Sequence, residues 1–205
     1  MGPPVSTSSA AAPARVDDRL RLKLDDGRST TAHVARWSLA RTRVRIERLP
    51  AQQRLIEWCA SSGCGDALVG GFYTRPAGMP LGELRLAGMA VDHVPFADPW
   101  HLTRASLHVN GSGMRIERRD ALDPEPAGDL LQAGPLLVRD GAVVCVDGDD
   151  AEGFSAAAHQ FDSDITARRH PRAAIGVSAD AIVALVADGR SPQDAGLTLG
   201  ELAAA

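Results

Sequence analysis

The sequence predicts an α+β fold, a largely antiparallel, hairpin-rich mixed sheet with two or three helices. Three observations predict it. Short segments alternate polar and apolar residues, the period of a strand with one buried face. Asp-Gly and Asn-Gly pairs stand between several such segments, where a tight turn needs positive φ. The strict strand–helix–strand alternation of a parallel sheet is absent, so antiparallel pairing is the way to join so many strands.

The elements follow in order. Residues 1–17 are mostly Pro, Ser and Ala with little periodicity, and read as a disordered tail ahead of a domain spanning 18–205. "RLRLKL" and "STTAHVARW" flank the turn "DDGR", so 19–37 reads as a β-hairpin. "TRVRIERL" (42–49) alternates as a third strand, which Pro50 ends. "AQQRLIEWCASSG" places Leu55, Ile56 and Cys59 at helical spacing and stops at Gly63. "DALVGGFY" (66–73) reads as a short apolar strand running into paired glycines. The proline-rich stretch 74–103 reads as loops with one or two short strands. "ASLHVNGSGMRIER" is a hairpin turning at Asn110-Gly111, and "DPEPAGD" is a loop. "LLVRDGAVVCV" is strand, Asp-Gly turn, strand. "AAIGVSADAIVALVAD" gives two strands around Ala179-Asp180. Thr198, with Glu201 three residues on, makes a capping box for a last helix.

Composition removes several function classes. A net charge of −4 over 205 residues, with arginines scattered among carboxylates, argues against a non-specific nucleic-acid binder. No apolar run reaches the ~18 residues of a membrane span, and the N-terminus holds no signal-peptide stretch. The expectation is a soluble, cytoplasmic protein with no membrane partner. Cys59, Cys64 and Cys145 form no CxxC pair and read as buried thiols in a reducing compartment, although Cys59 and Cys64 could pair across a short loop. "DGDDAEGF" (147–154) fails as a calcium loop. Its sixth position is Glu152 and its twelfth is Ala158, where glycine and glutamate are needed, so it reads as solvated. His33, His93, His101, His108, His159 and His170 show no metal-ligand spacing, and His33 and His108 read as structural. No metal site and no cofactor are expected, and no GxSxG elbow seats a nucleophilic serine.

Candidate chemistry concentrates near the C-terminus. Arg172 follows Pro171 at the start of a predicted strand, and a guanidinium fork suits a phosphate or a carboxylate. Asp188 and Arg190 end the next strand. If the two strands form a hairpin, all three residues lie at one end of it. There they either bind a phosphate and supply an acid or base, or form an internal ion pair between Arg172 and Asp188. The doubled glycines of "VGGFY" (69–73) either let a ligand or backbone approach closely or mark a bend.

These motifs, in this order, resemble the phosphodiester glycosidase family, whose bacterial relatives include exopolysaccharide-biosynthesis proteins. "VGGFY" resembles the family's Asn-Gly-Gly-Phe strand end, and "GMPLGE" (78–83) its GxPxG continuation. "QAGPLLVRDG" (132–141) resembles Gln-Gly-Gly-Pro-Leu, and "RAAIG" (172–176) resembles Arg-Thr-Ala-Ile-Gly. "ADGRSPQDAGLTLGELAAA" resembles Asp-Gly-Arg followed by Gly-Leu-Thr-Leu and a helix. The resemblance covers roughly residues 40–204. It implies cleavage of a sugar-1-phosphodiester, with a small-molecule or glycan substrate. Gly70, Gly71 and Phe72 would line the site, Gly134 and Pro135 would form a second wall, Arg172 would hold the phosphate or orient a carboxylate, and Asp188 and Arg190 would complete the polar cluster. Glu83, Asp162 and Asp188 are all open as acid or base. Val69, Ala133 and Ala173 replace an asparagine, a glycine and a threonine of the family pattern. The chain also stops before the family's Asn-Leu-Asp-Gly-Gly-Gly-Ser segment, so the expected domain lacks its C-terminal motif. These departures make a non-catalytic or truncated relative that binds a sugar phosphate or glycan the alternative. Nothing in the sequence fixes an oligomeric state.

Overall fold

The structure is a computed structural model that describes residues 15–49, 51–74, 78–155, 165–166 and 168–205. Two antiparallel sheets carry the fold. The first has strand order β1-β2-β13-β12 and joins the two ends of the described chain. β1 (Arg15–Lys23) and β2 (Ser29–Ser38) form the predicted N-terminal hairpin, in register from Arg15 opposite Trp37 to Lys23 opposite Ser29. β12 (Arg172–Val177) and β13 (Ala181–Ala187) form the predicted C-terminal hairpin, and β13 pairs along β2. One face of this sheet packs Ala187, Leu185, Ala174 and Leu22 against Leu197 and Leu202. The second sheet, β6-β5-β9-β7-β8, comprises β5 (Leu84–Leu86), β6 (Met89–Ala90), β7 (Ala105–Asn110), β8 (Gly113–Arg118) and β9 (Asp129–Gln132). Two ribbons flank the sheets: β3 (Phe72–Tyr73) with β4 (Pro80–Leu81), and β10 (Val138–Arg139) with β11 (Ala142–Val143).

Three helices complete the α+β fold. α1 (Leu55–Ser62) ends at Gly63, whose φ of 68° supplies the left-handed cap. α2 (Trp100–Thr103) is a single turn within the stretch read from sequence as loops and short strands. α3 (Leu199–Ala204) begins at the predicted capping box: the Thr198 hydroxyl accepts from Glu201 N, and the Glu201 carboxylate accepts from Thr198 N. It buries Leu199, Leu202 and Ala203.

Four expectations change. Strand pairing begins at Arg15, inside the stretch taken as tail; residues 1–14 lie outside the described set. Residues 42–49 keep the alternating exposure of an extended chain but join no ladder. Alternation records one buried face, and it cannot say whether a neighbouring strand exists. Of 66–73, only Phe72 and Tyr73 pair, with Leu81 and Pro80. β9 was not foreseen, since four residues are too short to show a period, yet it pairs with both β5 and β7 and holds the fully buried Leu130.

Candidate active site

The predicted residues fall in two places, a groove at the end of the β12–β13 hairpin and a cleft beside Pro135. Arg172 stands directly opposite Ala187, so both side chains lie on the face packed against Leu197. Asp188 follows Ala187 and continues the ladder, donating its N–H to the Thr31 carbonyl at 2.9 Å. Its side chain therefore turns to the opposite face, where Oδ2 lies 3.1 Å from Nε2 of His33. Arg172 and Asp188 form no ion pair with each other, because strand alternation turns their side chains apart, yet both residues line one groove at this end of the hairpin.

The Asp188 side borders an open groove of about 540 Å³. Its walls include Arg172, Ala173, Val186, Asp188, Ser191 and Asp194. A Cβ on Gly189 would come within 2.8 Å of Pro171 N, so the Asp-Gly-Arg turn needs glycine there for close backbone approach. Arg190 adopts a φ of +60° on this turn.

The Arg172 guanidinium is held by main-chain carbonyls. Nε of Arg172 donates to Leu197 O at 3.1 Å, and Nη2 donates to Ile165 O at 2.7 Å and to Arg168 O at 3.0 Å. Among the described residues this guanidinium has no carboxylate partner, and Nη1 has no hydrogen bond. Burial lowers its pKa, opposed by the charges of Asp147 and the Cys145 thiol. Cys145 in turn lines a second, narrower cleft of about 40 Å³ together with Pro135, Asp150, Glu152, Phe154 and Thr166.

Phe154 connects this cleft to the other predicted residues. Its ring centroid lies 6.1 Å from that of Phe72. Gly70 and Gly71 sit under Leu131 of β9, where an added Cβ would fall 2.6 and 3.2 Å from its methyl groups. The paired glycines thus admit an apolar side chain. A Cβ on Gly134 would meet nothing within 4 Å. Pro135 thus lines this cleft and Phe72 meets it through Phe154, whereas Arg172 and Asp188 both line the groove at the end of the β12–β13 hairpin.

Sequence reasoning missed Glu152. The loop read as solvated folds inward, and the Glu152 carboxylate accepts from Leu136 N at 2.8 Å and Ala105 N at 2.9 Å. Burial pushes its pKa up despite those two bonds and the nearby Arg104 and Arg118. Arg104 is fully buried and lies between Phe96 and Phe154, with Cζ 3.8 and 4.0 Å from their ring centroids. The signal for Glu152 was its setting, a carboxylate before Gly153 and Phe154, although composition alone could not tell an inward acid from an outward one. Of the other open acids, Glu83 is neutralised by Arg85 and Arg119, and Asp162 lies outside the described residues. Among the described residues no cluster of His, Cys, Asp and Glu could hold a metal ion, and no helix is long and apolar enough to cross a membrane.

Residues 63–205, well over half of the chain, match the model of the phosphodiester glycosidase family. The chain belongs to the phosphodiester glycosidase family. This is a family of glycosidase-type hydrolases of phosphodiesters. Comparison with curated proteins returns no match. Among solved structures, the fold is similar to the catalytic domain of zebrafish N-acetylglucosamine-1-phosphodiester alpha-N-acetylglucosaminidase, auto-inhibited by its pro-peptide. That likeness has a TM-score of 0.61 at 16% identity, over 95% of this chain and 67% of that one. A hypothetical protein from Synechocystis is similar at a TM-score of 0.57 and 14% identity, over 93% of this chain and 54% of that one. At these identities the likeness concerns the fold. The β1–β2 hairpin precedes the segment matched to this phosphodiester glycosidase family, yet β2 pairs along the whole of β13.

Proposed function

We propose that this phosphodiester glycosidase-family protein hydrolyses a sugar-1-phosphodiester, releasing a sugar and a phosphomonoester. One observation carries the reading beyond family membership: the Arg172 guanidinium. It is held by three main-chain carbonyls, and Arg172 lines the groove that also holds Asp188. A partly buried cation without a carboxylate partner is suited to a dianionic or monoanionic phosphoryl group. It would balance the negative charge that grows on the phosphate as the bond to the anomeric carbon breaks. The groove of about 540 Å³ that Arg172 lines is of a size to receive the substrate, with Asp188 as a further polar contact.

The test is release of sugar from a sugar-1-phosphodiester, comparing wild type with Arg172→Met and Asp188→Asn. Arg172→Met is expected to lower kcat by roughly 10²–10³-fold, the cost of removing one donor aimed at developing charge. Asp188→Asn should act mainly on KM. Wild-type turnover that survives Arg172→Met would overturn the assignment. A phosphate-induced rise in Tm without any turnover would favour the non-catalytic binder, the reading that Val69 and Ala173 suggest.

A further inference from the structure

We propose that the β1–β2 hairpin supplies the counter-charges that let this groove accept an anionic phosphodiester, with Arg21 covering Asp194 and His33 covering Asp188. The inference rests on the reading of Arg172 as the phosphate site. It extends that reading to two residues outside the segment matched to the family.

The charges of the groove pose the problem. Its charged wall residues are Arg172, Asp188 and Asp194, one guanidinium against two carboxylates. A carboxylate is a good acceptor for sugar hydroxyls, but two of them repel a phosphodiester, which carries a negative charge of its own. Each therefore needs a cation beside it. β12 and β13 place none on the face that Asp188 shares: Ala173 and Ile175 on the one strand and Ala184 and Val186 on the other are all apolar.

The hairpin provides both cations. The register sets Arg21 opposite Thr31 and His33 opposite Val186, so both side chains lie on the face of Asp188. Nη1 of Arg21 donates to Asp194 Oδ1 at 2.5 Å and to the Thr31 hydroxyl at 3.0 Å. Thr31 N donates to the same Asp194 oxygen at 2.7 Å. Asp194 is thus held by a cation that does not lose its charge. Nε2 of His33 lies 3.1 Å from Asp188 Oδ2. Around His33 on this face, β1 presents Arg19 directly opposite, with Arg21 and Asp17 one pleat to either side. Asp17 is paired with Arg15. β13 presents Val186, with Asp188 beyond it.

The two pairs differ in one respect. Arginine stays charged, whereas histidine as a residue type changes charge between about pH 5 and 8. With an imidazolium at His33 the Asp188 charge is covered and the anion is admitted. With a neutral ring the carboxylate faces the anion uncovered. Affinity for a phosphodiester is therefore higher on the acid side of neutrality and falls as pH rises. The diester keeps a single negative charge throughout, so the dependence belongs to the protein.

The experiment measures KM for a sugar-1-phosphodiester at about pH 5 and about pH 8, the two ends of the histidine range. Wild type is compared with His33→Gln, His33→Lys and Arg21→Gln, each shown by thermal melting to be folded. If the chain binds without turnover, the same comparison is read as Kd from the ligand-induced shift in Tm. Wild-type KM should rise roughly two- to fivefold from the acid to the alkaline end, the effect of one exposed charge. His33→Gln should show the high value at both ends, and His33→Lys the low value at both. Arg21→Gln should raise KM at both ends and keep the wild-type ratio. A wild-type KM that does not rise, or a His33→Gln that keeps the rise, overturns the proposal; the Arg172 reading then stands or falls on Arg172→Met alone. A wild type that neither turns over nor binds the diester overturns both.

Discussion

Arg104 shows how one buried charge organises its surroundings. Its side chain is fully inaccessible, and burial lowers its pKa to about 10, against the raising effect of Glu152 and Asp150. Nε donates to Glu152 O at 2.6 Å and Nη2 to Gly153 O at 2.5 Å, while two phenylalanine rings cover the faces of the guanidinium. The arginine thus supplies donors that an apolar core could not, in a place where water does not reach. Arg104→Met would keep most of the volume but leave two carbonyls without their donors, each costing about 1–3 kcal/mol. The expected loss is about 2–4 kcal/mol, read as a lower urea midpoint with an unchanged slope. A variant as stable as wild type would show that water replaces the arginine. Gly153 belongs to the same cluster: its φ is +68°, and an added Cβ would lie 2.1 Å from the Trp100 ring, so no larger residue fits beneath α2.

At the scale of elements, α3 depends on its first turn. Thr198 Oγ1 accepts from Glu201 N at 3.0 Å and donates to Asp147 Oδ2 at 2.6 Å, while Gly200 N donates to Asp147 Oδ1 at 2.8 Å. One hydroxyl therefore caps the helix and ties it to the segment after β11. Thr198→Ala should cost about 1 kcal/mol for the cap, with a further loss for the freed Asp147, and Thr198→Ser should restore most of it. Thermal melting of the two variants checks this, and equal Tm values in Thr198→Ala and wild type would refute it. The cap was legible because Thr198 and Glu201 carry a local mechanism in their spacing. The two terminal hairpins were legible for the same reason, with Asp-Gly or alternation marking both arms. β9 and the sidedness of Arg172 and Asp188 were not. Both depend on long-range pairing: β9 is defined by β5 and β7, and the faces of Arg172 and Asp188 follow from the register Arg172–Ala187. The hairpin reading put Arg172 and Asp188 at one end because Arg172 begins β12 and Asp188 follows β13, and both line one groove there. Glu152 escaped notice because its loop has no period, and its inward turn is set by the N–H groups of Leu136 and Ala105, distant in sequence.

For the whole molecule, the distribution of ion pairs sets the response to acid. Glu201 is paired with Arg169, which also reaches Asp26 in the first hairpin, so this network joins α3 to the turn after β1. Glu83 lies between Arg85 and Arg119 and links β5 to the end of β8. In Glu201 the leading cause of the lowered pKa is the hydrogen bond from Arg169; in Glu83 burial opposes, and the two arginines outweigh it. A carboxylate whose pKa is depressed by folding contributes stability above its unfolded value, about 4.3, and loses it as pH falls through the folded value. Glu152 acts in the opposite sense: folding raises its pKa, so its contribution is present at low pH and is lost as pH rises beyond the ordinary glutamate value. Urea unfolding between pH 3 and 8, values set by these ordinary pKa ranges, should therefore show stability dropping steeply below about pH 4 and easing gently on the alkaline side. The double variant Glu83→Gln, Glu201→Gln, which keeps the capping box through the glutamine amide, should flatten the acid slope and leave the alkaline one. An unchanged acid slope in that variant would mean that other carboxylates hold the two sheets together, and that the α3–hairpin and β5–β8 networks are bystanders to acid unfolding.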